Sequence, residues 1–190
     1  MNNYEDLLRQ YVDFPQKGVV FQDINPLLSN WKALQSCADD LEEACKEMIP
    51  MNTKILAAEA RGFILGAILA DRLNCGFVPI RKKNKLPPYN SIVEIDYNLE
   101  YGSNTIAMDA SLLEYNDKII IFDDVLATGG TAKGIADLLK KEITAGRLAD
   151  FSKNNICFAF MLEIEALKGK KFLSESLGIN KENIFSLIRI

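Results

Sequence analysis

The chain has 190 residues, 22 Lys and Arg against 26 Asp and Glu, and no histidine, so its formal net charge is −4. That length fits one domain. The absent imidazole excludes Ser-His-Asp and Cys-His catalysis, HExxH zinc sites and histidine proton shuttling, which leaves acid–base work to carboxylates, Tyr, Lys, Cys or bound water. Mild acidity argues against a general nucleic-acid binder or an anionic-membrane binder. Cys37, Cys45, Cys75 and Cys157 are widely spaced, without a CxxC pair, and read as reduced core thiols rather than a zinc site. The start, Met1-Asn2-Asn3-Tyr4-Glu5-Asp6, has neither a basic nor an apolar signal region. The longest apolar stretch, residues 63–70, falls far short of the roughly 20 residues of a spanning helix. A soluble, cytoplasmic protein is expected.

In chain order, Asn2 or Asn3 can cap a short helix carrying Leu7, Leu8, Tyr11 and Val12, followed by a Pro- and Gly-punctuated loop over residues 13–18. Ser29 or Asn30 then caps a long helix. Its stripe of Trp31, Leu34, Ala38, Leu41, Cys45 and Met48 has steps of three and four, and Pro50 ends it. Residues 54–58 read as a strand, 63–73 as a buried helix and 76–80 as a second strand. Residues 91–97 and 105–108 read as strands of a flap. Residues 118–122 form a continuous apolar strand, as in a parallel sheet covered on both faces. A helix over 131–144, a strand over 156–162 and a last strand over 183–188 complete the chain. This alternation predicts an α/β fold, a doubly wound parallel sheet, in a single domain 1–190. The core spans about 50–165, and the ends and the 91–108 region stand as accessories above the sheet.

The strongest chemical segment is Ile119-Ile120-Ile121-Phe122-Asp123-Asp124-Val125-Leu126-Ala127-Thr128-Gly129-Gly130-Thr131. A buried strand runs into two carboxylates, a small-residue loop and a helix, at the carboxyl edge where open α/β sheets bind ligands. Ala127, Thr128, Gly129, Gly130 and Thr131 can wrap backbone N–H groups around a phosphate, with two Thr hydroxyls as further donors. Asp123 and Asp124 would repel that phosphate and suit neighbouring hydroxyls or a cation. A ribose 5-phosphate meets both requirements. The bland alternative is a helix N-cap behind an incidental acidic turn. Neither a Walker A lysine nor a GxGxxG fingerprint is present, which counts against a nucleotide-dependent oxidoreductase.

This segment resembles the phosphoribosyl pyrophosphate (PRPP) motif of the type I phosphoribosyltransferases. The rest resembles the adenine phosphoribosyltransferase family within them, through Asp13-Phe14-Pro15, Gly18-Val19-Val20-Phe21, Asp23-Ile24, Pro26-Leu27-Leu28, Glu59-Ala60-Arg61-Gly62, Gly76-Phe77-Val78-Pro79-Ile80-Arg81-Lys82, Lys85-Leu86-Pro87, Leu99-Glu100-Tyr101-Gly102, Leu167-Lys168-Gly169 and Phe185-Ser186-Leu187-Ile188. These pieces keep family order from near residue 11 onward. The resemblance implies a type I phosphoribosyltransferase-like core with a small hood, from about residues 1–30 and the C-terminal region, and a flexible lid or flap.

Arg61 joins a strand to a helix and can hold pyrophosphate with its planar fork. The resemblance also implies a strained Glu59–Ala60 peptide, with a cis bond as one form. Gly62 and Gly66 have a spacing that permits close helix–sheet packing. Arg81 and Lys85, in the only dense basic cluster, are favoured for pyrophosphate over a solvated face or a nucleic-acid patch. The resemblance has some of these basic residues serving a neighbouring subunit, in a homodimer. Lys85 would open the lid, where Pro88 stands in place of the family's usual Gly. The resemblance puts Glu100 near the purine N7, as the carboxylate that shares the proton when N9 attacks, and gives Tyr101 a role in orienting phosphates or the closed lid. Glu94 and Glu114 read as solvated. By the same resemblance Val20, Phe21 and Gln22 read as the purine hood, where Phe21 can stack on the base and Ile164 adds an apolar wall; without it Phe21 reads as an ordinary core aromatic. Gln22 replaces the family's common Arg.

The implied reaction is adenine + PRPP giving AMP + pyrophosphate, a purine-salvage glycosyl transfer with Mg²⁺ as cofactor, bound mainly through substrate and water, near Asp123 and Asp124. Enzymes for 6-oxopurines carry Asp where this chain has Ala127, which favours adenine. A PRPP- or purine-sensing regulator without catalysis is the rival of another class. The retained basic residues and Glu100 favour an enzyme.

Overall fold

The computed structural model describes residues 4–46, 52–99, 102–149 and 155–190. In chain order the elements are β1 (Arg9–Val12), β2 (Val20–Asp23), α1 (Asn25–Ser29), α2 (Trp31–Lys46), β3 (Thr53–Ala58), α3 (Gly62–Arg72), β4 (Gly76–Lys82), β5 (Ile92–Leu99), β6 (Gly102–Asp109), β7 (Lys118–Leu126), α4 (Gly130–Thr144), β8 (Ile156–Glu163), α5 (Gly169–Leu177) and β9 (Ile184–Arg189). One sheet has the order β5-β6-β4-β3-β7-β8-β9, and β1 and β2 form a separate antiparallel ribbon. The strands from β4 to β9 in that order are parallel, and the β5–β6 hairpin joins antiparallel beside β4.

The period of two along β7 explains why the sheet has a core on each face. Ile119 and Ile121 pack with Leu56, Ile135, Leu139 and Phe158 on the face covered by α4 and α5. Ile120 and Phe122 pack with Ile55, Leu41, Leu69 and Met161 under α2 and α3. A Cβ on Gly66 would come within 2.9 Å of Ala57 Cβ, so α3 packs on β3 at a distance only glycine permits. Cys37, Cys45 and Cys157 are buried free thiols, pushed up to about 12 chiefly by burial, and Cys75 is half-buried. Among the described residues no helix is long and apolar enough to cross a membrane.

The structure revises four sequence expectations. Tyr11 and Val12 lie in β1, where Val12 pairs with Val20, because the ribbon outcompetes a short isolated helix; only Tyr4–Leu7 is helical, as a 3-10 turn. Trp31 opens α2 on its exposed side, with the Lys32 ammonium over its ring; the buried stripe is Cys37, Ala38, Leu41 and Cys45. The 91–108 segment and the C-terminal strand β9 form the two edges of the sheet rather than standing above it. The acid pair does not end β7, which continues to Leu126 through pairing with β8. Asn30 does cap α2, its Oδ1 accepting from the amides of Lys32 and Ala33. Asn2, Asn3, Met48 and Pro50 lie outside the described residues.

Candidate active site

The chain turns from β3 to β4 on one side and passes through β7, β8 and β9 on the other, so the switch point of the sheet lies between β3 and β7. Ligands of open α/β sheets bind in that crevice, beyond the carboxyl ends of the strands. Arg61 follows β3, Arg81 ends β4, Asp123 and Asp124 ride the end of β7, and Ile164 follows β8.

Residues 127–131 turn from β7 into α4 around a hollow of about 100 Å³ lined by Asp123, Ala127, Thr128, Gly129, Gly130 and Thr131. Gly129 has φ +85°, the left-handed region that suits glycine, and it caps α4. The first N–H groups of a helix have no intrahelical acceptor and are available to an anion. Behind the loop stands α5, which sequence reading did not place. A Cβ on Gly129 would meet Leu173, Phe172 and the Gly169 carbonyl oxygen at 3.1–3.2 Å, and one on Gly169 would stand 2.2 Å from the Ala127 carbonyl oxygen. The clue was the segment Leu167-Lys168-Gly169, with Lys168 taking φ +57° so that α5 can start against the loop.

Asp124 is buried, and its Oδ2 lies 2.7 Å from Arg61 Nε. Asp123 is half-buried, and its Oδ1 accepts from the Asp124 amide at 2.9 Å. Burial, then the adjacent Asp124 carboxylate, push the Asp123 carboxyl well above the usual carboxylate range. A Cβ on Gly62 would stand 3.0 Å from Asp123 Oδ1, so glycine lets the N-terminus of α3 approach this carboxylate.

The guanidinium of Arg61 also lies 5.2 Å from the centre of the Phe21 ring, a cation–π distance. Phe14 meets the same ring edge-on at 5.2 Å. Val20 is exposed beside it, and Gln22 is buried with Oε1 unpartnered. Asp23, bonded to the Asn25 amide and to Arg9, fixes the end of the ribbon. The β1–β2 ribbon and the carboxylate pair of β7 thus meet through one side chain.

Arg81 is held by Glu59, Nε to Oε2 at 3.0 Å, and the same oxygen accepts from the Lys82 amide at 2.9 Å. The Lys82 amide, then Arg81, hold the Glu59 carboxyl below the usual range. Glu59 is a supporting residue that sequence reading did not assign. The Glu59–Ala60 peptide bond is cis. Lys85 is exposed in the turn after β4, and its ammonium pairs with no carboxylate among the described residues. Ile164 is half-buried and donates its amide to the Leu126 carbonyl at 3.0 Å, which sets it beside the end of β7. Glu94 and Glu114 are exposed as expected. Glu100 and Tyr101 lie outside the described residues, between β5 and β6.

Two outcomes follow from this geometry. Gly169→Ala must displace the Ala127 carbonyl; overpacking of this kind costs about 1–3 kcal/mol. Calorimetric titration with ribose 5-phosphate should show weaker binding, and unchanged affinity would mean that α5 does not shape the loop. The raised pKa of Asp123 is a penalty on the folded state that is absent at low pH and grows as pH rises past about 4, the unfolded carboxyl value. Asp123→Asn should therefore melt higher than the wild type at pH 7, with the gap closing toward pH 4. A lower melting temperature at pH 7 would contradict this.

Comparison with known proteins agrees with this geometry. Residues 28–144 match the phosphoribosyl transferase domain model. The chain is 45% identical over 181 residues to the adenine phosphoribosyltransferase of Thermosipho melanesiensis, covering 95% of this chain and 93% of that one. Its structure is similar to the crystal structure of the Giardia lamblia APRTase complexed with 9-deazaadenine, with a TM-score of 0.84 and 35% identity over 99% of this chain and 96% of that one. It is also similar to the Trypanosoma brucei adenine phosphoribosyl transferase in complex with AMP, pyrophosphate and ribose-5-phosphate, with a TM-score of 0.78 and 26% identity over 98% of this chain and 78% of that one. A carboxylate pair beside a backbone-lined anion hollow, on a sheet with this strand order and with relatives this close, places the chain in the adenine phosphoribosyltransferase family.

Proposed function

We propose that the chain transfers the phosphoribosyl group of PRPP to N9 of adenine, giving AMP and pyrophosphate in purine salvage. The observation that carries this reading is the unbroken path from the hollow at 127–131, through Asp123 and Asp124, to Arg61 over Phe21. It has the order of a nucleotide: phosphate, ribose, base.

In this reading the amides of residues 127–131 and the hydroxyls of Thr128 and Thr131 anchor the 5′-phosphate. This remote binding energy fixes C1′ for attack. Asp123 and Asp124 face the ribose hydroxyls. The terminal nitrogens of the Arg61 fork, with Arg81 and Lys85, complement the departing pyrophosphate as C1′ gains oxocarbenium character. Phe21 stacks on adenine, Val20 reads its edge with backbone groups, and Gln22 and Ile164 complete the base pocket. Glu100 shares the proton at N7, and Tyr101 orients the phosphates.

Among the described residues no three acidic, Cys or His side chains converge as a metal cage. With Asp124 already paired to Arg61, the donor set fits a Mg²⁺ carried mainly by substrate oxygens and water, near Asp123 and Asp124. When bound, Mg²⁺ would offset negative charge on the pyrophosphate. A cytoplasmic homodimer completes the proposal.

The test is parallel turnover of adenine, hypoxanthine, guanine and orotate with PRPP. Adenine should be fastest, and faster release of pyrophosphate with any of the others would overturn the assignment. Glu100→Gln should slow single-turnover AMP formation by about 10²–10⁴-fold, the usual contribution of a positioned acid–base group. PRPP affinity should change little. An unchanged rate would remove Glu100 from the mechanism.

A further inference from the structure

The β5–β6 hairpin does not float free of the phosphate-binding helix. Val93, Ile95 and Tyr97 alternate with exposed Glu94 and Asp96, and their partly buried side chains pack toward the core on the α4 face. At residue 134, in the interior of α4, stands a glycine, a poor residue for a helix interior. A Cβ there would lie 2.9 Å from Cγ and 3.0 Å from Cβ of Tyr97. Both atoms are at the root of the side chain, so a methyl group could be accommodated only by moving β5 or the helix.

A second contact sets the direction. Lys141 Nζ donates to the Glu94 carbonyl at 3.0 Å. Residues 134 to 141 rise about 10.5 Å along a helix. Residues 97 back to 94 span about 10 Å along a strand. The two contacts are therefore in step, and β5 runs antiparallel to α4. Gly134 lies about one helical turn from Gly130, where the phosphate hollow opens. At Leu99, its last residue, β5 is heading toward that end of the helix, and Glu100 is the next residue in the chain.

We propose that Tyr97, seated in the notch at Gly134, is a positioning residue: it locks the hairpin that bears Glu100 to the helix whose N-terminus holds the phosphate. The proposal rests on the reading of Glu100 as the residue that shares the purine proton. The notch fixes the register of β5 on the helix that carries the phosphate anchor, and through that register the lock acts on the alignment of the base with C1′. A misplacement of about 1 Å can cost 10²-fold in rate.

The test uses the full chain with adenine and PRPP. Gly134→Ala, in which alanine's helix preference opposes the clash with Tyr97, should stay folded and melt at or a few degrees below the wild-type temperature, while single-turnover AMP formation falls about tenfold or more. PRPP affinity, measured by calorimetry, should stay within about threefold of wild type. Tyr97→Ala should show the same split, and Tyr97→Phe, which keeps the ring, should retain the wild-type rate. In the Glu100→Gln background the Tyr97→Ala substitution should cost almost nothing more, because the lock acts through that carboxylate. Wild-type rates in both Gly134→Ala and Tyr97→Ala would overturn the proposal. So would a Tyr97→Ala loss that persists in full without Glu100. The Glu100→Gln single variant tests the underlying reading by itself, so failure of that reading and failure of the lock are distinguishable.

Discussion

Arg61 reaches across the switch point of the sheet to Asp124, Nε to Oδ2 at 2.7 Å, while its guanidinium lies against the Phe21 ring. Much of the remaining architecture depends on that contact. Two carboxylates side by side at the end of a buried strand repel each other, and a buried unpaired charge is costly. The cation beside Asp124 offsets part of the cost of placing that side chain in the interior. An arginine suits the position because its broad, delocalised guanidinium can lie beside a carboxylate and an aromatic ring at once, which a lysine ammonium cannot do as well.

The second carboxylate is not neutralised in the same way. Asp123 is half-buried beside Asp124 and below the N-terminus of α3, with its carboxyl pushed upward. Such a group costs the folded chain stability as pH rises. The phosphate loop next to it is close-packed from behind rather than strung between elements: α5 presses Gly169, Phe172 and Leu173 against it. The loop's shape is thus supported by the protein's own packing, and such support reduces the ordering cost of binding.

The central strands were legible because their chemistry is local. The run Ile119-Ile120-Ile121-Phe122 can only be a strand buried on both faces, and the small-residue turn after it forecasts a helix start. The small-residue turn follows β7 and the Arg61 segment follows β3, in the chain order the sequence implies. What sequence missed depends on tertiary partners. Tyr11 and Val12 have helical spacing with Leu7 and Leu8, yet β2 recruits them into a ribbon. Asp123 and Asp124 read as the end of a strand, yet the β8 ladder and the Arg61 pair carry the strand through them. Glu59 as a clamp on Arg81, Gly169 as the support of the loop and Gly134 as the notch for Tyr97 show no local signature, since each acts on a residue far away in the chain. The roles of Glu100 and Tyr101 rest on the family resemblance and on the hairpin that leads to them.

The central claim is that one side chain joins the proposed base-binding hood to the proposed ribose-binding carboxylates. Calorimetric titration of Arg61→Lys with adenine and, separately, with ribose 5-phosphate tests it most directly. Loss of both the Phe21 contact and the Asp124 pair should weaken both ligands, each by about tenfold, the equivalent of about 1.4 kcal/mol. Weakened ribose 5-phosphate binding with adenine affinity unchanged would contradict the account, because the hood would then stand independently of Arg61.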